Sequence, residues 1–254
     1  MTGTVAMAAT AVLVVGCGGK EDGSAAPGAP ANAATGKLPQ ATTYTTLKGL
    51  PEDKEPFGKN TGTVVRPKAP LPVSALPGGA AVATLPDKQL GGPTWVPVVE
   101  SRPGWHRVLL PSRPNRVTGW IPGAPGQVET ARSSYLVKVD VGDRRLTLLD
   151  KGRKVGSWTV AVGEGKTPTP TGRTFLLALL KPSKPTYSPL ILPVGAHSET
   201  LETYGGGPGT VAFHGWPSKD VFGKAVTHGC IRVPADALAR LSKAPLGTPV
   251  DIVG

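Results

Sequence analysis

Apolar and polar positions alternate over short distances along most of this chain, far more often with a period of two than of 3.6. Between residues 62 and 123 the β-prone runs are Val64-Val65, Leu71-Pro72-Val73, Ala81 to Leu85, Trp95 to Val99, Trp105 to Leu110 and Gly119-Trp120-Ile121. Pro77-Gly78-Gly79, Gly91-Gly92-Pro93, Arg102-Pro103-Gly104 and Arg113-Pro114-Asn115 punctuate them. About five strands in some sixty residues is the spacing of a small barrel. Its three tryptophans are expected to pack in the core.

Residues 133–254 read as strands again. Tyr135–Val141 alternates, and Arg145–Leu149 and Val155–Val162 follow across the turns at 141–143 and 151–152. Thr174–Leu180 is nearly all apolar, the pattern of a strand buried on both faces. Gly205 to Gly209 is a loop feeding Thr210–His214, a strand expected to deliver His214 to a sheet edge. Pro234 to Lys243 is the one helix: proline opens it, Asp236 complements its dipole, and Leu238 and Leu241 share a face. Thr248–Val253 returns as a final strand. Strand runs with a single helix predict a mainly β chain, a small barrel followed by a β-sandwich, without βαβ layering.

The first sixty residues follow other rules. Residues 5–16 are apolar but shorter than the ~20 needed to span a bilayer. Ala11 to Gly16 followed by Cys17 resembles a bacterial lipobox, with residues 1–17 as the signal peptide, though no Lys or Arg precedes the run. Such cleavage leaves Cys17 as a lipidated N-terminus. From Ser24 to Gly36 there is neither a charge nor a large apolar side chain. Such a segment buries too little to offset its ordering entropy, so residues 18–61 are expected to be a flexible Ala/Pro/Gly-rich tether.

The 254 residues allow two domains with real cores, placed at 62–126 and 133–254. A formal charge of +11 favours anionic surroundings such as a membrane surface or wall polymers. No dense Lys/Arg run with interleaved aromatics supports a nucleic-acid partner. No coiled coil or apolar interface stripe suggests more than a monomer.

Only two cysteines are present, and with Cys17 lipidated, Cys230 is left unpaired in an exported chain. A lone thiol there is better explained by chemistry than by stability. It lies in Thr227-His228-Gly229-Cys230-Ile231-Arg232, preceded by Phe213-His214-Gly215. The nucleophile is the thiolate, and a nearby imidazole takes the thiol's proton and lowers its pKa. If residues 228–230 are extended, His228 and Cys230 point to one side. Spacing alone does not choose between His214 and His228 as the base. His197, in a Gly-Ala-His-Ser loop, is expected to be solvent-exposed, and Tyr187 and Tyr204 to sit in the loop region near the site.

Thr227-His228-Gly229-Cys230-x-Arg232, with His214-Gly215 upstream, resembles the signature of the L,D-transpeptidases of the YkuD type. Gly163-x-x-x-Thr167-Pro168-Thr169-Pro170-Thr171-Gly172-x-x-Phe175 is similar to that family's upstream motif. By itself this second block is a rigid turn and receives no chemical step. The resemblance implies Cys230 as nucleophile and His214 as proton acceptor and donor, with no metal or organic cofactor. His228, Gly229, Thr227 and Gly215 would shape the pocket and supply oxyanion donors. Arg232, Trp216 and Tyr204 would meet the substrate. It further implies peptidoglycan stem peptides as partners: cleavage of a tetrapeptide stem through a thioester, release of D-alanine, and transfer to an amine. With water as acceptor the outcome is L,D-carboxypeptidase activity. Carbapenems would acylate the same thiol. Trp95, Gly104-Trp105 and Gly119-Trp120-Ile121 are similar to a bacterial SH3-like domain. Together these resemblances imply an exported lipoprotein on the outer face of the cytoplasmic membrane, facing the wall.

Three rivals are weaker. His214, His228 and Cys230 offer the three protein ligands of a catalytic zinc, but no His-Glu-x-x-His occurs. The local signature of papain-like peptidases is absent, and the cysteine follows both histidines. The third is a non-catalytic wall-binding lipoprotein.

Overall fold

Short strands joined by turns and loops are the main elements of residues 38–254, which the computed structural model describes apart from Lys59, Pro185 and Gly206. Cys17 and the expected signal peptide and lipobox lie outside the described residues. In the N-terminal half the strands are β1 (Thr63–Pro67), β2 (Leu71–Ser74), β3 (Ala81–Leu85), the ribbon β4 (Lys88–Gln89) and β5 (Gly92–Pro93), β6 (Val96–Arg102), β7 (Trp105–Leu109), β8 (Thr118–Pro122) and β9 (Val128–Arg132). Seven of them form one sheet in the order β3-β2-β8-β7-β6-β1-β9. Val65, Val73, Leu85, Val98, Val108 and Ile121 fill its core.

Two boundaries differ from the sequence expectation. β9 lies beyond residue 126 and pairs with the whole of β1, from Thr63↔Arg132 to Pro67↔Val128. Its side chains Val-Glu-Thr-Ala-Arg are half-buried or exposed, so no buried face marked it in the sequence. The expected tether, 18–61, is packed over its described part. Ala41, Thr42, Thr43, Leu47 and Asp53 are buried. Backbone bonds dock this segment: Ala41 N–H to the Thr84 carbonyl, Leu47 N–H to Arg113 and Asp53 N–H to Arg116. Main-chain pairing does not require an apolar pattern, so composition misplaced the segment. Of the three tryptophans, Trp120 is buried while Trp95 and Trp105 are half-buried.

The C-terminal half contains β10 (Tyr135–Asp140), β11 (Arg145–Asp150), β12 (Arg153–Thr159), β13 (Val162–Gly163), β14 (Gly172–Phe175), β15 (Ile191–His197), β16 (Thr203–Tyr204), β17 (Gly207–Pro208), β18 (Thr210–His214), β19 (Ala225–Thr227), β20 (Ile231–Arg232), helix α1 (Ala235–Leu241) and β21 (Pro249–Val253). A five-stranded sheet, β12-β11-β10-β21-β14, and a three-stranded sheet, β15-β18-β20, contribute side chains to one core. Val137, Val139, Leu146 and Ile252 come from the first sheet, Val194, Val211, Phe213 and Ile231 from the second, and Leu238 and Leu241 from α1. This is the expected β-sandwich with one helix. No helix among the described residues is long and apolar enough to cross a membrane.

The run after β14 explains its unbroken hydrophobicity. Leu176 joins the sandwich core, while Phe175 and Leu177 enter the core of the N-terminal half. The strand expected over Thr174–Leu180 ends at Phe175; beyond it the chain makes the isolated bridges Leu176↔Val194 and Leu180↔Ile191, and a segment lying between two cores has no polar face to show.

Candidate active site

The sheet β15-β18-β20 sorts its side chains into two sets. β18 and β20 run parallel, with Phe213 opposite Ile231 and His214 opposite Arg232. Leu192, Phe213 and Ile231 point into the sandwich core. Alternation then sends Ile191, Pro193, Ala212, His214, Cys230 and Arg232 to the other face, and all six line one cavity of about 360 Å³. That volume suits a small ligand or a peptide segment. β18 is the middle strand, so His214 sits at its C-terminal end and not on a sheet edge as expected.

Residues 228–230 form a bend and not an extended segment, with Gly229 at φ +111°. That backbone conformation strains any residue with a Cβ. His228 is therefore not the alternate neighbour of Cys230; Arg232 is. Thr227 Oγ1 closes the bend, donating to the Cys230 carbonyl (2.6 Å) and accepting from the Gly229 N–H (3.2 Å).

The Thr-Pro-Thr-Pro-Thr block braces this bend from behind. Thr167 Oγ1 donates to the Thr227 carbonyl (3.1 Å) and Thr169 Oγ1 to the Gly229 carbonyl (3.0 Å). Thr169 also accepts the Gly163 N–H (2.9 Å). A Cβ at Gly163 would collide with the Thr167 carbonyl and the Thr169 nitrogen, so only glycine fits there. From sequence alone the block is only a rigid turn. Its alternate threonines, each a hydroxyl able to cap a carbonyl, were the available signal.

His214 is buried, and its Nδ1 lies 2.8 Å from the Gly215 carbonyl. A carbonyl only accepts, so Nδ1 carries the proton and Nε2 is left as the acceptor. Burial lowers the imidazole pKa, the Gly215 bond opposes this, and the Arg232 charge lowers it further. Cys230 is half-buried and a free thiol. Burial pushes its pKa up, against a backbone hydrogen bond at Ala212 and the Arg232 charge. The expectation that a neighbouring imidazole would lower the thiol pKa is thus reversed in the resting site, because desolvation outweighs the favourable partners.

Aromatic side chains wall the cavity. Tyr187 meets His214 edge-on (centroids 4.8 Å apart), and Tyr204 stacks on His228 (4.6 Å, 28°). The Arg232 guanidinium lies 3.6 Å over the Trp216 ring, and its Nε is buried with no partner among the described residues. Ser188, which sequence reasoning missed, accepts the Gly215 N–H (2.7 Å) and donates to the Leu190 carbonyl (2.5 Å), pinning the Tyr187 loop to His214. The Gly215 and Gly229 amides, expected among the oxyanion donors, are hydrogen-bonded here to Ser188 and Thr227. His197, expected to be exposed, is buried beside the cavity. Among the described residues, no three His, Cys, Asp or Glu side chains are grouped to hold a metal ion.

The sequence profile described as the L,D-transpeptidase catalytic domain (YkuD) matches residues 134–252. The YkuD protein of Bacillus subtilis, whose name assigns it to the L,D-transpeptidases, is 30% identical over 152 residues, 57% of this chain and 84% of its own length. The chain belongs to the L,D-transpeptidase family. The YkuD protein of Bacillus licheniformis, whose name places it in the same family, is 33% identical over 121 residues, 46% of this chain and 65% of its own. Among solved structures, an L,D-transpeptidase from Mycobacterium smegmatis aligns with a TM-score of 0.42 at 19% identity, covering 63% of this chain and 82% of that one. L,D-transpeptidase 3 from Mycobacterium tuberculosis, with a faropenem-derived adduct, gives 0.40 at 17%, covering 55% and 74%. The matched L,D-transpeptidase region holds the cavity, the braced bend and α1 together.

Proposed function

We propose that this protein is a peptidoglycan L,D-transpeptidase working through a thioester on Cys230. The supporting observation is the pairing of β18 with β20, which brings His214, with Nε2 unprotonated, and Cys230, the residue just before β20, to one cavity. Both groups rest neutral, so proton transfer accompanies attack. The Cys230 proton passes to His214 Nε2 as sulfur bonds to the stem carbonyl carbon, and the oxyanion is met by the Cys230 amide. Nε2 returns that proton to the leaving nitrogen as the C–N bond breaks, releasing D-alanine and leaving the thioester. An acceptor amine then attacks, gives its proton to Nε2, and the C–S bond breaks with the thiol reprotonated.

The unpartnered Arg232 Nε and its guanidinium provide a cationic group in the cavity for a substrate carboxylate, with Trp216 holding the fork in plane. Tyr204 and Tyr187 cover the peptide. The N-terminal half is an SH3-like domain in this reading, and Cys17 a lipid anchor keeping the enzyme outside the cytoplasmic membrane, against the wall. Incubation with a tetrapeptide stem and an amine acceptor tests the reaction. Cross-linked dimer and free D-alanine are expected from the wild type and neither from Cys230→Ala. D-alanine without dimer would make the chain a carboxypeptidase, and no turnover would leave a wall-binding protein.

A further inference from the structure

Strand β15 ends at His197 and β18 begins at Thr210, and these two residues are Cα partners in the sheet. Between them residues 198–209 leave as a hairpin, with Thr203↔Pro208 and Tyr204↔Gly207 paired. Leu201, Tyr204 and Pro208 of this hairpin line the catalytic cavity, and Tyr204 lies against His228. Its position therefore sets one wall of the site.

Both roots of the hairpin are gripped by the N-terminal half. The Asn115 side chain acts as a strand neighbour on the open edge of β15. Its Nδ2 donates to the His197 carbonyl (2.8 Å) and its Oδ1 accepts the His197 N–H (2.9 Å). On the other root, the hydroxyls of Thr43 and Thr210 are 2.5 Å apart. Beneath the hairpin the buried His197 ring faces the carbonyls of Ser198 (2.6 Å, Nδ1) and Glu202 (3.1 Å, Nε2). A Cβ at Gly209 would sit 3.1 Å from this ring, so the base has no slack. Two further ties are weak: Asn115 Nδ2 to the Glu199 carboxylate is long at 3.4 Å, and Arg113 to Glu202 at 3.7 Å ends on a carboxylate that is 90% exposed, where an ion pair contributes little.

We infer that Asn115 is a positioning residue for the catalytic cavity, with Thr43 as its counterpart, holding the Tyr204 hairpin over the substrate through His197 and Thr210. The N-terminal half is then part of the substrate site's scaffold. The inference rests on the reading of this cavity as the stem-peptide site.

Hydrogen exchange on the full chain, compared among wild type, Asn115→Ala and Thr43→Val, decides the structural half without any need for turnover. Faster exchange confined to residues 197–210, with β10, β11 and β21 unchanged, is expected in both variants. Kinetics with the tetrapeptide stem decide the functional half. KM should rise about fivefold, the scale of one or two neutral hydrogen bonds, with kcat within about twofold. Asn115→Ala added to Tyr204→Ala should raise KM no further than Tyr204→Ala alone, because both act through one wall. Unchanged exchange in 197–210, an unchanged KM, or additive effects in the double variant would each overturn the inference. A wild type without turnover but with the exchange difference present would sink the proposed reaction and leave the grip on the hairpin standing.

Discussion

Thr169 Oγ1 donates to the Gly229 carbonyl at 3.0 Å across sixty residues of chain, and the same oxygen accepts the Gly163 N–H. One buried hydroxyl thereby ties the upstream motif to the turn that carries Cys230. Thr169→Val keeps the shape and removes both bonds, leaving a buried donor and a buried acceptor unpaired. A stability loss of about 1–3 kcal/mol is expected in urea unfolding. Acylation of Cys230 should slow by about tenfold or more, since small misplacements of a nucleophile are costly. An unchanged acylation rate would show that the brace serves folding alone.

Asp53 and Arg173 form the most buried ion pair among the described residues, with side chains 2% and 7% exposed. Both Nε and NH2 of the guanidinium reach Asp53 Oδ2, at 3.0 and 2.8 Å. Arg173 stands opposite Asp251 on β14 and β21. Burial raises the Asp251 pKa, while Arg173 and Lys138 lower it. Asp53→Ala leaves Arg173 with this second carboxylate only. The expected cost is about 3 kcal/mol, the lower end for a broken buried pair, read as a lower urea midpoint with an unchanged slope. A loss under about 1 kcal/mol would mean that Asp251 carries the charge alone.

The resting site holds a neutral thiol and a neutral imidazole. Cys230 is displaced above, and His214 below, its ordinary pKa, both chiefly by burial. An ion pair would need the reverse order of the two values. Alkylation of Cys230 by iodoacetamide should therefore rise about tenfold per pH unit from about pH 6 to pH 9, following the thiolate fraction. A rate plateau between about pH 5 and pH 8 would instead report a preformed thiolate–imidazolium pair.

The same chemistry bears on stability in acid. Because folding lowers the His214 pKa, the unfolded chain binds the extra proton first as pH falls below about 6.5. The neutral-histidine contribution is present above that pH and is lost as pH falls toward the folded value. The decline in urea midpoint from pH 7 to pH 5 should be shallower in His214→Gln than in wild type; equal slopes would remove His214 from the acid response.

Much of this was legible in the sequence where pattern and chemistry coincide. Thr210–His214 reads as a strand and is one with those bounds, and α1 falls inside the helix expected from Pro234, Leu238 and Leu241. Cys230 was legible as a candidate nucleophile because few other roles suit a lone thiol beside glycines, whereas spacing left His214 and His228 open as the base and only the family resemblance favoured His214. Main-chain and through-space relations were not legible. Segment 38–57 docks through backbone bonds, so its polar composition misled. His197 looks like a loop residue until Asn115, 82 positions earlier, pairs with its backbone. Gly229 at φ +111° makes a bend where an extended backbone would have set His228 beside Cys230, and Arg232 takes that place. The thiol pKa depended on burial, which the local motif does not encode.

The intact mass of the folded protein after exposure to a carbapenem tests most directly whether Cys230 is the nucleophile. The wild type should gain the mass of one inhibitor per chain, His214→Ala should gain it far more slowly, and Cys230→Ala should gain nothing. An adduct that persists in Cys230→Ala, or a wild type that never gains mass, would contradict the account.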